Sequence, residues 1–421
     1  MNIAGGVVVK NKTVLQLGYG MQGKAALHDI LEHEAVSKVI LADASPDVLN
    51  VSEAQGMEKV EAVHLDASDT GSMAELMKRA DVVMELLPGV FALPTASLAA
   101  DVGVSLVSSM YLQNPGEQDP QKREETRREV EAIGARALNR GVTILQEFGM
   151  DPGIDLVLGG RTLEQLDEVV AFHSYGAGFP EKEASNNPLG YKFTWSIIGV
   201  MRSYLRPARF LDKGRVIEVP ADEMFTPRFT HILDLPEMGG PLECFPNGNT
   251  LAFADLFGIE DTVKSMGRYI CRWPGHGAFW STMAKSGFLG EEPVRCGDVS
   301  VSPAAFCASL LGSQEQFFYA DDERDVALIR TDARGYREGK PVRVVNQIVD
   351  KRDLQTGFTS MQRTVGFPVS IGARMILDGR LNKKGLVSPM EVPFEPYMEE
   401  LSRRGISFST YEEEWDGRLE P

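Results

Sequence analysis

Thr13-Val14-Leu15-Gln16-Leu17-Gly18-Tyr19-Gly20-Met21-Gln22-Gly23 is the stretch that decides the fold, and apolar residues at helical spacing follow it at Ala25, Leu27, Ile30 and Leu31. A β-prone run passes through a glycine turn into an amphipathic helix, and the glycines fall as G-x-G-x-x-G. Each glycine has a physical task in a dinucleotide site. Gly18 permits a tight turn, Gly20 lets the backbone approach a pyrophosphate, and Gly23 allows close helix–strand packing. The helix mouth, with Met21 and Gln22 in its first turn, offers amide donors and a positive dipole end to the phosphates.

Outward from this turn the chain alternates strand and helix. Val39–Ala42, Glu61–Leu65, Asp81–Leu87, Val104–Ser108 and Gly141–Leu145 read as strands, with helical segments at Met73–Arg79 and Leu93–Asp101 and a charge-dense helix between Asp119 and Arg140. This rhythm predicts an α/β fold, a doubly wound parallel sheet of Rossmann type over residues 1–146. Asp43 ends the second strand 20 residues beyond Gly23. A carboxylate there can accept from both adenosine ribose hydroxyls and repels a 2′-phosphate, so NAD is expected over NADP. The same residue could instead cap the turn Ala44-Ser45-Pro46. Asp66 lines the adenine side or caps the helix ahead of Ser68-Asp69. Leu87 and Pro88 close the fourth strand on the sheet edge where ligands of such folds bind, near the nicotinamide ribose, or form a purely structural turn; Ser108, which ends the next strand, is a further candidate cofactor-binding residue.

At 421 residues the chain exceeds the length at which one hydrophobic core stops growing, so a second domain is expected. After Gln146 aromatics, prolines and glycines become dense, and alternating runs such as Arg343–Val349 appear, which places a mixed α+β domain over residues 147–366. Ser302-Pro303 opens one helix and Pro368–Leu381 reads as another. The formal charge of −17 opposes the basic footprint of nucleic-acid and anionic-membrane binding proteins. No run reaches the length of a membrane span and residues 1–6 lack a secretory pattern, so a cytoplasmic protein is expected. The cysteines, Cys244, Cys271, Cys296 and Cys307, lack zinc or disulfide spacing and are expected reduced and mostly buried. The six histidines show no ligand spacing, so no metal is expected.

Glu147-Phe148-Gly149-Met150-Asp151-Pro152-Gly153-Ile154-Asp155 and Asn186-Asn187-Pro188-Leu189-Gly190-Tyr191-Lys192-Phe193-Thr194-Trp195-Ser196 resemble the saccharopine dehydrogenase (glutamate-forming reductase) family. Leu242–Asn247 and Arg272-Trp273-Pro274-Gly275-His276 add to the likeness. Leu328–Arg330, Val342–Val349, Thr364–Arg374 and Lys384–Val387 are similar to lysine 6-dehydrogenase, a relative in the same superfamily. The resemblance implies a Rossmann-type domain interrupted by a catalytic and dimerisation domain, with residues 367–421 returning to the first domain, and a homodimer. Two departures stand out. Gly176 occupies the position of a family cysteine, and Ile198 that of an arginine.

The resemblance implies oxidation of a C–N bond of an amino acid, in which the dinucleotide takes the hydride and side chains orient and move protons. Asp151 matches the family's turn acid and is assigned to the substrate amine, with a turn role as the alternative; Asp155 is a helix N-terminal acid. Tyr111 could hydrogen-bond substrate, relay a proton or pack on the nicotinamide. Lys192 and Arg272 are the candidate carboxylate binders, or surface ion pairs. Asn187 and Tyr191 add neutral hydrogen bonds or shape their turn. The candidate substrates are saccharopine and lysine, and a catalytically silent NAD-binding sensor is the reading from another class.

Overall fold

The computed structural model describes residues 11–50, 57–114, 117 and 119–421. It divides into two units, Met1–Val157 with Gln362–Gly405 and Leu158–Met361 with Ile406–Pro421.

In the first unit β1 (Lys12–Leu17), β2 (Val36–Asp43), β3 (Val60–His64), β4 (Val82–Glu85), β5 (Ser105–Ser108) and β6 (Thr143–Leu145) join a late strand, Gly385–Val387, in one sheet. The order is Gly385–Val387, β6, β5, β4, β1, β2, β3, and each pairing is parallel. Direction of growth reverses at β1, which pairs β2 on one side and β4 on the other, and so opens the crevice where nucleotides bind in such sheets. Leu15, Leu17, Ile40, Val83, Leu106 and Ile144 pack against Met73, Met77, Ala96, Ala99, Ile133 and Ala137 from the intervening helices. Helices on the faces bury both sides of the strands, which is why these read as unbroken apolar runs.

The C-terminal return is built on the first helix, Met21–Leu31. A Cβ on Gly366 would lie 2.6 Å from the Gln22 carbonyl oxygen, so only a glycine lets the helix Ser360–Leu377 approach so closely. Gln362 Nε2 donates to the Met21 carbonyl at 2.8 Å. That helix begins at Ser360 rather than at Pro368, because Asp325 caps its start by accepting from the Ser360 N–H and hydroxyl, each at 2.7 Å. Buried Asp29 receives Arg404 at 2.6 and 2.8 Å and the Ser370 hydroxyl at 2.6 Å. Phe148 and Tyr397 pack against each other with ring centroids 4.8 Å apart and planes tilted by 42°.

The second unit holds β7 (Glu168–Pro180), β8 (Ala208–Asp212), β9 (Arg215–Val219), β10 (His231–Leu233), β11 (Leu242–Pro246), β12 (Ser265–Arg272), the hairpin β13 (Val294–Cys296) and β14 (Val299–Val301), β15 (Asp325–Arg337) and β16 (Lys340–Lys351). Its large mixed sheet runs β10, β11, β12, β7, β15, β16 and then a final strand, Phe408–Glu414, with β8 and β9 branching from β12. The tail therefore divides. Residues up to Gly405 go to the first unit, whereas Phe408–Glu414 pairs antiparallel with β16 and covers its edge, in place of the expected return of the whole stretch 367–421.

Cys244 and Cys271 lie opposite each other on β11 and β12, 4.2 Å apart at Cα, and are joined as a disulfide. This corrects the expectation of four thiols: cross-strand register, invisible in the spacing of 27 residues, brings the pair together. Cys307 is a buried free thiol and Cys296 an exposed one. Among the described residues no helix is long and apolar enough to cross a membrane, and no group of three or more metal-ligating side chains forms.

Candidate functional site

The glycine turn has the geometry its spacing predicts. Gly18 sits at φ +98°, and a Cβ on it would lie 2.6 Å from the Leu86 carbonyl oxygen. At Gly23 a Cβ would come within 2.4 Å of the Gly18 carbonyl oxygen, so the helix seats directly on the turn. Around Gly20, by contrast, a Cβ would meet no atom within 4 Å, which leaves the approach a pyrophosphate needs. The helix Met21–Leu31 has no side-chain cap and no acid in its first turn, so its leading amides are available to an anion. Met21 is 44% exposed at this mouth.

Asp43 stands at the end of β2, but its carboxylate is turned onto the chain. Oδ2 accepts the Tyr19 N–H at 2.6 Å and Oδ1 the Ser45 N–H at 2.7 Å, which ties the glycine turn to the turn after β2. Asp66 is exposed and accepts both the Ser68 N–H at 2.9 Å and its hydroxyl at 2.7 Å, bonds that hold its carboxyl below the usual range. It caps its own turn; the helix Thr70–Met77 is capped in addition by Asp69.

At the end of β4 the Leu87 N–H donates to Glu85 Oε1 at 2.9 Å, and Ser108, at the end of β5, donates its hydroxyl to the other oxygen of the same carboxylate. Ser108 is fully buried, so the structure turns it inward where the sequence reading gave it to the cofactor. Pro88 is exposed and Leu87 half-buried beside the turn at Gly18. The Phe148 N–H donates to the Ser108 carbonyl at 2.8 Å and the Glu147 N–H to that of Met110 at 3.2 Å, so the segment carrying Asp151 is laid along the end of β5 next to half-buried Tyr111. The Asp151 turn is closed by Gly149 N–H to Pro152 O at 3.0 Å. Gly153 supplies φ +139°, with its Cβ position 2.1 Å from the Gly149 carbonyl oxygen. Asp155 accepts the Gly153 N–H at 2.8 Å and begins the helix Ile154–Leu163, as a helix N-terminal acid should.

Within the second unit Tyr191, Tyr204, His276 and Arg272 form one buried cluster. The Arg272 guanidinium lies 5.0 Å from the centre of the Tyr191 ring, and Tyr204 shares a 2.7 Å hydrogen bond with His276 Nε2. Arg272 Nη1 donates to the Cys271 carbonyl at 2.8 Å, while its Nε has no partner. No carboxylate among the described residues pairs with it, so a buried positive charge stands ready for an anion. Burial and the Arg272 charge keep the His276 imidazole far below its ordinary pKa, hence neutral. Lys192 is 4% exposed and is held by both oxygens of Glu323, which also accepts the Ala320 N–H at 2.8 Å. Burial raises the Glu323 carboxyl, and these bonds outweigh it, leaving the group ionised below the usual range. The charge of Lys192 is thus already compensated. Asn187 spends its amide on the Tyr191 and Gln316 carbonyls, each at 2.8 Å, and shapes the turn.

Four residues of these sites escaped the sequence reading: Gln16, Glu85, Tyr204 and Glu323. Gln16 is fully buried in β1 and its Nε2 donates to the carbonyls of both Gly18 and Gly23, at 2.9 and 2.8 Å, clamping the two ends of the glycine turn. A polar residue in an otherwise apolar parallel strand was the available signal for Gln16 and for Glu85 alike. Glu323 carried none, because it lies 131 residues from Lys192.

Two family models match the chain: the saccharopine dehydrogenase NADP binding domain over residues 14–145 and the saccharopine dehydrogenase C-terminal domain over residues 149–406. The chain belongs to the saccharopine dehydrogenase family. It is 25% identical over 449 residues to the alpha-aminoadipic semialdehyde synthase of Arabidopsis thaliana, a match covering 89% of this chain and 40% of the relative. The chain thus spans less than half the length of that protein. It is 23% identical to the saccharopine dehydrogenase [NADP(+), L-glutamate-forming] of Saccharomyces cerevisiae, covering 93% of this chain and 96% of the yeast one. The solved apo structure of the yeast saccharopine dehydrogenase (L-Glu forming) superposes with a TM-score of 0.79 at 23% identity, over 96% of this chain and 100% of that one. The homospermidine synthase of Legionella pneumophila shares the fold, with a TM-score of 0.63 at 12% identity over 99% and 96% of the two chains. Family membership corrects the cofactor expectation. The matching domain is the saccharopine dehydrogenase family's NADP binding domain, and the preference for NAD inferred from Asp43 falls. The physical reason is visible at Asp43, whose oxygens are engaged by two backbone amides and so serve the turn.

Proposed function

We propose that the chain is an NADP-dependent dehydrogenase that oxidises the secondary-amine C–N bond of saccharopine, yielding glutamate and aminoadipate semialdehyde. One observation carries the cofactor side: the open helix mouth at Gly20, with its amides unspent and a glycine turn clamped by Gln16. Gly18, Gly20, Met21, Gln22 and Gly23 would hold the pyrophosphate, and Leu87 and Pro88 would border the nicotinamide end. When bound, the nicotinamide accepts a hydride. On the protein side Asp151 takes the proton of the substrate amine so that the nitrogen lone pair can drive hydride loss from the adjacent carbon, and Tyr111 donates a hydrogen bond nearby. The resulting substrate imine adds water at carbon and then breaks its C–N bond, releasing amine and aldehyde; Asp151 returns the proton to the leaving nitrogen. Arg272 binds a substrate carboxylate, with Tyr191 beneath the guanidinium.

The support is the family assignment together with a relative of the same length whose name states this reaction. A second reading, oxidative deamination of lysine at its ε-amine, is favoured by one observation. Of the candidate carboxylate binders, Lys192 is neutralised by Glu323 and Arg272 pairs with no carboxylate among the described residues, whereas saccharopine brings three carboxylates and lysine one. Reduction of NADP at alkaline pH, followed at 340 nm with saccharopine, lysine and carboxynorspermidine side by side, decides between them. Saccharopine is expected to give the highest kcat/KM; turnover with lysine alone would establish the second reading, and turnover with none of the three would remove both.

A further inference from the structure

Glu85 has no part in the reaction as drawn, yet it is a fully buried acid at the switch point of a nucleotide-binding sheet. It ends β4, opposite Leu17 of β1 and Ser108 of β5. Each of its oxygens accepts from a different turn. The Leu87 N–H donates to Oε1 at 2.9 Å, and the Ser108 hydroxyl, itself accepting the Met110 N–H at 3.1 Å, donates to Oε2. The turn after β4 touches the glycine turn, since the Leu86 carbonyl oxygen stands 2.6 Å from where a Gly18 Cβ would be. It also touches the turn after β5, with the Met110 methyl carbon 3.0 Å from the corresponding position on Gly89.

We propose that Glu85 is a positioning residue for the dinucleotide: its carboxylate fixes the Leu86–Pro88 turn against the glycine turn and the Ser108–Met110 turn beside it, and so sets the shape that receives the nicotinamide half. The inference rests on the dinucleotide-binding reading above. An acid is unusual in this place because a buried carboxylate is costly, and two aimed donors are what make it tolerable. Burial raises its carboxyl to about 7, against the lowering effect of the bonds from Ser108 and the Leu87 N–H, and no charged side chain contributes. The adjoining turns carry the titratable groups Tyr19 and Asp43 on the glycine-turn side and Tyr111, Glu147 and Asp151 on the β5 side. The ionised form accepts both bonds at once, whereas the protonated form must turn one oxygen into a donor. Ordering of the two turns therefore depends on a proton near neutrality.

The test compares the full-length protein with Glu85→Gln and Glu85→Ala, by calorimetric titration with NADP and by steady-state kinetics from pH 6 to 9. Glu85→Ala is expected to raise the Kd and KM for NADP about tenfold while kcat changes less than about threefold, the pattern of lost binding that is equal in ground and transition states. Glu85→Gln, the isostere of the protonated acid, is expected to show at pH 8 the raised KM for NADP that the parent shows only below about pH 7. The parent's KM for NADP should rise as pH falls through about 7, an inflection the glutamine variant lacks. If Glu85→Ala does not fold, the glutamine variant and its pH profile still decide the matter. Identical Kd, KM and pH profiles for parent and glutamine variant overturn the role of Glu85 while leaving the dinucleotide site intact. Absence of NADP binding by the parent overturns the functional reading and this proposal with it.

Discussion

In the proposed reaction Asp151 is one carboxyl held by a turn whose glycines are fixed sterically, since a Cβ at Gly153 would fall 2.1 Å from the Gly149 carbonyl oxygen. Asp151→Asn keeps the size of the side chain and the glycines of the turn and removes the ionisable carboxyl. Turnover should fall about 10²–10⁴-fold, the usual scale of general acid–base catalysis, with thermal stability unchanged. Arg272 has a different kind of role in that proposal, a fixed buried charge whose Nε has no partner. Arg272→Met is expected to raise the KM for the amino-acid substrate by about 10²-fold, as for loss of a charged hydrogen bond in a buried site, and to leave the Kd for NADP where it was. The same substitution at Lys192 should act through stability instead, because it strands Glu323 without its partner. Measuring KM and melting temperature for both variants separates the two roles.

Among the elements, those legible in the sequence were the ones whose signal is local. The run from Thr13 to Gly23 announces strand, turn and helix at once, because φ > 0 at Gly18 and the contact at Gly23 admit only glycine. Asp119, Pro120 and Gly141 likewise mark the ends of the helix Pro120–Arg140. Features that depend on distant partners were illegible. The Cys244–Cys271 bond follows from strand register, the helix start at Ser360 from Asp325 35 residues earlier, and the final strand from an open edge on β16. The Asn187 and Ser108 side chains bear polar groups that the sequence offers to a ligand and the fold spends on itself. The C-terminal return belongs to this class too: Arg404 reaches Asp29 across 375 residues. Since both groups are nearly buried, Arg404→Met leaves Asp29 with only the more distant Arg374, at 3.5 Å, as a cationic partner, and a loss of about 3 kcal/mol in unfolding free energy is expected in urea titration.

Taken whole, the molecule buries titratable groups whose proton affinities folding changes, and their balance sets how stability responds to pH. Burial pushes His173 down to about 3 and His231 down to about 4, and takes His276 well below its ordinary value. The unfolded chain binds protons on these imidazoles from about pH 6.5 downward, while the folded chain does so only at pH 3–4 or lower, so each contributes stability that is present above 6.5 and lost as pH falls. Glu85 acts in the opposite sense. Its carboxyl, raised to about 7, binds its proton earlier in the folded chain than in the unfolded one, and stability from this group is gained between pH 7 and about 4.5. His33 is lowered by burial as well and Asp325 is raised by it, so the lowered imidazoles outnumber the raised carboxyls and leave a net loss on acidification. The formal charge of −17 shrinks over the same interval and relieves self-repulsion, which alone would raise the melting temperature. The buried groups dominate because their interactions are not screened by solvent, so the melting temperature should be lower at pH 5 than at pH 7.5 by several degrees, in buffers of equal ionic strength. His173→Gln should flatten that slope, and Glu85→Gln should steepen it; a melting temperature that climbs toward pH 5 would mean that the surface charge governs instead.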